Sequence, residues 1–530
     1  MAENVTEFKK GQTGASVSQA SDDNETATRI IGIFPETANN IDNAHNEYKR
    51  NAWNWLTVRD SIEGESCIKS RNELYLPMPS SMPMAKPVQG PNWSFYDQNL
   101  DSLAKTMDRA YMPNYHPNVA YAAYLQRSQF PELTSYMLRG LMGLVTKDRP
   151  LVELTPSLEH LVENATPSGM GLIELFNYCV SEVLTNGRFP LVTNIGPNGK
   201  FTLVPYVAKN FINWRTSRPI ASQHNSATMC VFKEVVDTPS NMFDDETENE
   251  YAVLAMSDGV YAAGRYNEKG SFLGATIPNY MGKPLHYIPI TCFGSVNDRF
   301  NVDPSPLYSV ASTSLHIYMR NADLSQSEFM SCNPTLFLSG VTDDEAPAAL
   351  GSTVGVCLSN DNAKAYYTQT DTSALSHVLS HIGDLYEQAI YYGAQLLDSS
   401  KKAAESAETV RLKTASTGAT LSSMVKSIGH AFEKHLKNAA EWAGEDSDNV
   451  KFVPLTDFMA PAVTAQEQRA LVESWLDGAI SKISLLENFS RAGMLPEGVS
   501  AEDEISRIEE ELENSGTRPQ PQTNETQPTE

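Results

Sequence analysis

The sequence predicts an α+β protein in which helices come first, a sheet follows and long helices come last. Residues 47–190 repeat apolar side chains at spacings of three and four, the period of an amphipathic helix. Between residues 189 and 294, β-branched and alternating runs are separated by turn residues such as Asn198-Gly199, which is typical of antiparallel strands. After residue 304 the helical period returns over long segments.

The first part contains three helical segments: EYKRNAWNWLTVRDSIEG, VAYAAYLQRSQFPELTSYMLRGLMGLVT and GMGLIELFNYCVSEVLTNGRF. The third has one apolar face and ends at Gly187, because glycine readily adopts the left-handed conformation that terminates a helix. The predicted strands that follow are FPLVTNIGPNGKFTLVPYV as a hairpin, and then ATMCVFKEVV, EYAVLAMSDGVYAAGRY and LHYIPITCFG.

Three long helices are predicted in the second part of the chain. The first covers 305–330, opening at Asp303-Pro304-Ser305-Pro306, because proline fits the first turn of a helix. The second covers 372–397, and short strands and turns lie between these two helices. The third covers about 406–443, with an interruption or kink near Thr417-Gly418. Two or three further helices are predicted within 464–513.

Composition places the chain among ordinary globular proteins. It has 530 residues, of which 41% are hydrophobic and 20% are charged, and its formal net charge is −25. No apolar run is long enough to cross a bilayer, and the first residues lack the apolar core of a signal peptide, so an intracellular protein without a membrane partner is expected. Residues 1–28 and 514–530 are polar, and we expect disordered tails there.

No motif specifies an active site, and no catalytic residue, cofactor or metal is predicted. The phosphate-binding run of motor ATPases and the glycine motifs of hydrolases and dinucleotide enzymes are missing. Six scattered cysteines predict reduced, mostly buried thiols. His377 and His381 have a spacing that can hold zinc, but two histidines leave a site incomplete, so a polar-face pair is favoured. Asp343-Asp344-Glu345 could bind a divalent cation, although a solvated acidic loop is favoured.

Charge is unevenly distributed along the second part. Residues 301–400 hold eleven acids and two bases, whereas residues 401–440 hold seven bases and three acids. The basic stretch begins at Lys401 and Lys402, within the small and polar run LLDSSKKAAESAET between two predicted helices. An acidic chain normally argues against nucleic-acid binding, since phosphates are bound by lysine and arginine. It does not argue against a protein that surrounds DNA without gripping it.

Several motifs, in this order, resemble the portal proteins of tailed bacteriophages. The first is WNWLTVRDSIEGESCIKSRNELYLPMP, with Trp55, Arg59-Asp60, Gly64-Glu65 and Tyr75-Leu76-Pro77. The next is YAAYLQRSQF with TSYMLRGLMGLVTKDRP, which carries Tyr124, Arg127, Phe130, Gly140, Gly143 and Pro150. EVLTNGRFPLVTNIG, PYVAKNFINWR, SPLYSVASTSLHIYMRNADLSQSEF with NPTLFLSG, and SAETVRLK follow. The chain departs from the family at Phe189-Pro190 and after residue 460.

The resemblance implies a portal fold with a wing, a two-helix stem, a small α/β clip, a tunnel loop and a helical C-terminal crown. The corresponding ranges are 29–304 and 408–460 for the wing, 305–330 and 372–397 for the stem, 331–371 for the clip, 398–407 for the tunnel loop and 461–513 for the crown. Candidate channel residues are then Ser399, Ser400, Lys401 and Lys402. Candidate interface or channel charges are Arg411, Lys413, Asp343, Asp344 and Glu345.

The resemblance also implies a function and partners. It implies a homo-oligomeric ring, in this family a dodecamer, at one capsid vertex of a virion, assembled in the host cytoplasm. Double-stranded DNA would pass through it without sequence specificity during packaging and ejection. The terminase large subunit and then tail adaptor or connector proteins would meet the clip, and the major capsid protein would meet the wing. Another head–tail connector ring and, less favoured, a metal-dependent hydrolase remain as alternatives.

Overall fold

The computed structural model describes residues 5–8, 32–79, 119–196, 198–217, 227–238, 246–332, 335–340, 362–368, 375–394, 407–456, 465–491 and 504–508. It is an α+β structure, as predicted, and it divides into two compact units, Met1–Thr456 and Asp457–Glu530. The division into wing, stem, clip and crown stays a prediction. Within the described residues, no helix combines the length and the apolar character needed to cross a bilayer.

The helices of the first unit fall where the apolar periodicity predicts them. They are α1 (Asn46–Glu63), α2 (Glu65–Ser70), α3 (Val119–Arg127), α4 (Leu133–Val145), α5 (Leu172–Asn186), α6 (Tyr308–Cys332), α7 (Leu375–Ala394) and α8 (Ala407–Ala443). Pro131 separates α3 from α4, because proline excludes the preceding residue from helical conformation.

The strands include the predicted ones and others that the sequence does not predict, such as Phe211–Thr216 and Phe272–Tyr280. They are β1 (Val5–Phe8), β2 (Leu151–Glu153), β3 (Arg188–Ile195), β4 (Phe201–Pro205), β5 (Phe211–Thr216), β6 (Ala227–Asp237), β7 (Thr247–Ser257), β8 (Val260–Asn267), β9 (Phe272–Tyr280), β10 (Lys283–Pro284), β11 (Ile290–Gly294), β12 (Thr335–Ser339), β13 (Lys364–Thr368) and β14 (Lys451–Val453). The hairpin turn predicted at Asn198-Gly199 is confirmed, since β3 and β4 pair with Ile195 opposite Phe201.

The strands form one large sheet and three smaller ones, all with antiparallel pairing. The large sheet has the order β1-β9-β8-β7-β6-β5, with β10 attached to β9. A three-stranded sheet has the order β11-β3-β4, and β12–β13 and β14–β2 form two-stranded pairs. The sharp turn between β7 and β8 uses Asp258 and Gly259, both at positive φ, as tight hairpins require.

The described residues of the second unit form the helices α9 (Ala465–Leu476) and α10 (Lys482–Arg491), and residues 504–508 are also helical. Leu485 and Leu486 are buried, which agrees with the apolar periodicity of α10. These elements lie within the range predicted for helices.

Two expectations about secondary structure need correction. The sequence predicts an interruption or a kink near Thr417-Gly418, and the interruption does not occur, because α8 is one continuous helix through both residues. The kink stays a prediction. A single interior glycine costs only about 1 kcal/mol relative to alanine, which the packing of the rest of α8 outweighs. The expected disorder of residues 1–28 does not hold for Val5–Phe8, which form a strand paired with β9. The sheet edge of β9 supplies backbone partners that composition does not reveal.

Gly187 determines how the polypeptide leaves α5 and enters β3. Its φ of +70° is a left-handed conformation, and its backbone N–H donates to the carbonyl oxygen of Val183 at 2.8 Å. A Cβ added at Gly187 would lie 2.4 Å from the carbonyl oxygen of Asp303, which belongs to the segment that leads into α6. The glycine therefore permits both the helix end and the close approach of a second backbone.

Replacing Gly187 with alanine is expected to lower the free energy of unfolding by about 2–4 kcal/mol, because both the φ angle and the backbone contact become unfavourable. Gly259→Ala is the matched control, since Gly259 has a φ of +78° and no atom within 4 Å of an added Cβ. The control should cost only about 1 kcal/mol. Urea unfolding midpoints at one protein concentration measure both, and equal losses would contradict the backbone-contact argument.

Candidate functional site

The long helix α6 is embedded at its centre and exposed at its end. Leu315, Tyr318 and Ala322 lie in a buried apolar cluster with side chains from α2, α3 and the segments beside them: Ile68, Tyr75, Leu76, Tyr121, Tyr124, Leu125 and Phe130. By contrast, Phe329 and Met330 in the last turns are 49% and 53% exposed. The first unit therefore holds one part of α6 rigidly and presents the other part outward.

Polar contacts from α3 fix the position of α6 along its axis. The Tyr124 hydroxyl donates to Asp323 Oδ1 at 2.8 Å, and Arg127 donates to the side-chain oxygen of Gln326. The Arg127 guanidinium also lies over the Phe329 ring, 4.3 Å from its centroid. Burial, with Asp323 as a second cause, raises the pKa of Tyr124, so its hydroxyl remains a donor.

Asp60 connects α1 with the segment that follows α2. Its carboxylate is 2% exposed and accepts from Arg71 at 2.8 Å through Nε and 3.0 Å through Nη2. The Tyr75 hydroxyl donates to the same carboxylate at 2.8 Å. Burial and this hydrogen bond raise the pKa of Tyr75. A buried carboxylate is tolerated only when it is paired in this way, so α1, Arg71 and Tyr75 are held in one arrangement.

A second set of contacts links α1 to α5. Arg59 Nη2 donates to both carboxylate oxygens of Glu182, at 3.0 Å and 2.8 Å, and Glu182 is nearly buried. Trp55 Nε1 donates to the carbonyl oxygen of Asn186 at 2.8 Å, at the end of α5. Trp55 and Arg59, two residues of the first motif, thus form contacts between α1 and α5.

Asp60, Glu63 and Cys67 place three potential metal-ligand atoms within 4.8 Å of one another. Both Asp60 oxygens already accept from Arg71 or Tyr75. Burial and the two neighbouring carboxylates raise the pKa of the Cys67 thiol to about 12, which favours a protonated thiol over a thiolate ligand. The three side chains therefore fit a hydrogen-bonded cluster better than a metal site.

The helix α7 packs against α6 and has a buried face and an exposed face. Ile382 and Ala389 are buried, and an added Cβ at Gly393 would overlap the Met137 side chain of α4. Leu379 and Ile390 are 61% and 48% exposed and share one face at a spacing of eleven residues, or three helical turns. The apolar periodicity of residues 372–397 predicts both side chains on the packed face of the helix, and the structure corrects that expectation.

Large exposed apolar residues are concentrated on α6, the β12–β13 hairpin and α7. We call this set the exposed apolar surface, and it consists of Phe329, Met330, Phe337, Tyr366, Tyr367, Leu379, Ile390 and Tyr391. Phe337 and Tyr366 stack with a centroid separation of 5.7 Å across the hairpin. Because an isolated two-stranded hairpin is marginally stable, this hairpin requires contacts beyond its own two strands.

Most of the candidate residues from the sequence lie outside the described residues. These are Ser399, Ser400, Lys401, Lys402, Asp343, Asp344 and Glu345, and their roles stay predictions. Arg411 and Lys413 belong to α8, but their side chains are not among those described. His377 and His381 are both exposed on α7, as the polar-face interpretation expects.

Two of the described basic residues of α8 form ion pairs within the chain. Lys434 pairs with Asp298 at 3.0 Å, and Lys437 pairs with Glu433 at 2.6 Å. Asp298 follows β11, which packs against α8, and Glu433 belongs to α8 itself.

Two buried polar residues were missed by the sequence analysis. His435 of α8 bridges two strands, with Nε2 2.9 Å from Thr193 Oγ1 and Nδ1 2.9 Å from Thr291 Oγ1. Burial lowers the pKa of His435 to about 3. The sequence does contain one indication that His435 is buried. It lies on the apolar face of α8, which also carries Ala431, Phe432, Leu436 and Ala439.

Arg188 is the other missed residue. It is 1% exposed, and its guanidinium lies 4.3 Å from the centroid of Phe211 and 3.9 Å from that of Trp214. Nη2 donates to the carbonyl oxygen of Phe300 at 3.3 Å. Burial lowers the pKa of Arg188. The guanidinium lies over two aromatic rings of β5 and so links β3 to the large sheet. Its position directly after Gly187 gave no sequence signal.

Comparisons with known proteins give one family match and two similar structures. A family described as a domain of unknown function (DUF4055) matches residues 306–443, the range from the start of α6 to the end of α8. No curated protein matches. The chain is similar to one in "Virion of native gene transfer agent (GTA) particle", with 12% identity, 69% of this chain and 90% of that chain covered, and a TM-score of 0.34. It is also similar to a chain in "Neck of empty GTA particle computed with C6 symmetry", with 12% identity, 69% of this chain and 91% of that chain covered, and a TM-score of 0.33.

Replacing Asp60 with alanine is expected to lower the free energy of unfolding by about 2–3 kcal/mol, because the buried Tyr75 hydroxyl loses its acceptor. Arg71 is partly exposed and can turn toward water, which limits the loss. Glu153→Ala, which removes an exposed ion pair with Lys451, is the control and should change stability little. Urea midpoints compare them, and equal effects would contradict the role given to Asp60.

His435 is expected to make stability depend on pH. Because its pKa is lowered in the folded protein, the unfolded chain takes up the proton first as pH falls from about 6.5 to about 3. The contribution of the neutral His435 side chain to the free energy of unfolding is fully present above pH 6.5. As pH falls toward 3, this contribution is lost by at most about 1.4 kcal/mol per pH unit.

The measurement is the urea midpoint between pH 4 and pH 7 for the unchanged protein, His435→Gln and His316→Gln. His435→Gln should reduce the slope, whereas His316→Gln, at an exposed position of α6, should keep it. An unchanged slope in the His435 variant would show that other groups cause the acid sensitivity.

Proposed function

We propose that this chain is the subunit of a portal-type ring, a non-enzymatic structural protein of a virion. Identical copies surround a channel at one capsid vertex, and double-stranded DNA enters and leaves through it. The observation that carries the proposal is the exposed apolar surface on α6, the β12–β13 hairpin and α7. Residues of this kind on adjoining elements are typical of surfaces that a protein partner covers.

The composition of this surface supports identical neighbours as the partner. Leu379 and Ile390 carry no charge, although each copy has a formal net charge of −25. Acidic copies repel one another wherever their charges meet, so a lasting contact between them needs an apolar region. Symmetric association, the usual arrangement of soluble oligomers, would cover this surface in every copy.

The order of the elements supports the same proposal. A long helix, a small hairpin, a second helix and a third, longer helix follow one another in α6, β12–β13, α7 and α8. This is the order of stem, clip, stem and wing helix that the portal resemblance implies. Other head–tail connector rings usually have much shorter chains and lack this order, so they are the second candidate.

The proposed channel would interact with DNA only weakly. The described parts of α6, the hairpin and α7 carry the acids Asp323, Glu328, Asp384 and Glu387 against Arg320 and Lys364, and an acidic wall repels phosphates. Lys401 and Lys402 would add a ring of positive charge at the loop between α7 and α8. Their attraction to DNA would be independent of sequence and would weaken as salt increases.

The partners follow from the same proposal. The terminase large subunit would meet the clip during packaging, and tail adaptor or connector proteins would replace it afterwards. The major capsid protein would meet the wing. A metal-dependent hydrolase that uses Asp343, Asp344 and Glu345 with the pair His377 and His381 is the alternative from another class. Alanine at the three acids would abolish hydrolysis, whereas a portal would lose at most assembly.

Native mass spectrometry and averaged electron micrographs of the purified protein test the proposal. We expect a closed ring, a dodecamer by the family resemblance, with a central hole. Leu379→Glu with Ile390→Glu should prevent ring formation, because a buried unpaired charge is costly, and should leave the monomer folded since both sites are exposed. Gln388→Glu on the opposite face of α7 is the control and should preserve the ring. A monomer or dimer of the unchanged protein at high concentration would refute the proposal.

A further inference from the structure

The outer edge of the large sheet is covered by two separate pieces of the N-terminal region. Val5–Phe8 pair with β9 in antiparallel register, with Val5 opposite Pro278 and Phe8 opposite Ala275. On the same edge, Thr37 forms a bridge with Ser271, and the Phe272 N–H donates to the carbonyl oxygen of Glu36 at 3.0 Å. The edge of β9 is therefore a pairing site for extended backbone.

The two pieces are close on the sheet but far apart along the chain. Phe8 and Thr37 are opposite residues that lie four positions apart on β9, or roughly 14 Å at the usual rise of a strand. Residues 9–36 connect them, and a chain of that length can span up to roughly 95 Å when extended. The connection is thus several times longer than the distance between the two pieces on one sheet. It is also long enough to reach the β9 edge of an adjacent copy.

The pairing itself does not distinguish one copy from another. Recognition of an added strand comes mainly from backbone hydrogen bonds, and β1 contributes only four residues to the ladder. The same ladder forms whichever copy supplies the strand, which is why exchange of an identical element between subunits costs little. The proposed ring would hold a second β9 edge within reach of every β1.

We propose that, in the assembled ring, Val5–Phe8 of each copy pair with the β9 edge of the neighbouring copy. This inference rests on the proposed ring. Each copy then gives one strand and receives one strand, a head-to-tail arrangement that leaves no β9 edge unpaired only when the ring closes. The exchange links neighbours by backbone hydrogen bonds, which the acidic charge of the copies opposes less than contacts between charged side chains.

Disulfide trapping in the full chain tests the exchange. Glu7 and Thr276 are directly opposite each other in the ladder, so their Cα atoms lie within the separation that a disulfide bridges. Chains carrying Glu7→Cys and chains carrying Thr276→Cys are co-expressed with different tags, assembled and oxidised. The exposed Cys332 is replaced by serine in every variant. A disulfide between the two single variants can form only between copies, and we expect it.

The double variant, Glu7→Cys with Thr276→Cys, gives the complementary result. Exchange produces a ladder of covalent multimers in non-reducing electrophoresis, whereas pairing within one chain produces only a cross-linked monomer. Each single variant alone should remain without a cross-link. The same is expected of a mismatched double variant, Glu7→Cys with Thr247→Cys, because Thr247 lies at the exposed start of β7. Cross-linked monomers without multimers, or no cross-link, would overturn the exchange.

Native mass measurement of the same samples separates this inference from the proposed function. A ring whose chains are cross-linked only internally refutes strand exchange and leaves the portal proposal intact. A sample that forms no ring refutes both.

Discussion

The buried carboxylate of Asp60 is the constraint on which the position of the long helices depends. Arg71 and Tyr75 reach it only when the chain reverses after α1, which Gly64 permits with a φ of +97°. Tyr75 is then placed in the apolar cluster that contains Leu315 and Tyr318 of α6. The need to pair the Asp60 carboxylate therefore affects the position of α6, which is far away in the sequence. The link is Tyr75, because it both donates to Asp60 and packs in the core against α6.

Anchoring the centre of α6 has consequences for its end. The cluster and the Tyr124–Asp323 hydrogen bond hold the helix in place, so Phe329 and Met330 are presented outward at a fixed position. Since α7 packs on α6, its face with Leu379 and Ile390 is oriented by the same anchor. The packing inside the first unit therefore determines where the residues of the proposed subunit contact lie.

The sequence predicts the elements well and their contacts poorly. Periodicity located α5 with its stop at Gly187, the β3–β4 hairpin and the three long helices, since these features depend on residues close together in the chain. It placed Leu379 and Ile390 on the packed face of α7, because an exposed apolar residue looks the same in sequence as a buried one. His435 and Arg188 were missed because their partners, Thr193 and Phe211 among them, are distant in sequence.

Charge explains why an assembly of this chain must rely on apolar side chains and backbone. With a formal net charge of −25 per copy, every additional subunit in a ring meets repulsion, which salt screens only beyond about 10 Å at 0.1 M. Two basic residues of α8, Lys434 and Lys437, are already paired within the chain and do not offset it between copies. The surfaces proposed for association are the α7 face with Leu379 and Ile390, the aromatic hairpin and the edge of β9, which rely on apolar side chains and backbone. In the proposed channel, the same excess of acid that opposes assembly would keep DNA from adhering, so one composition would serve both requirements.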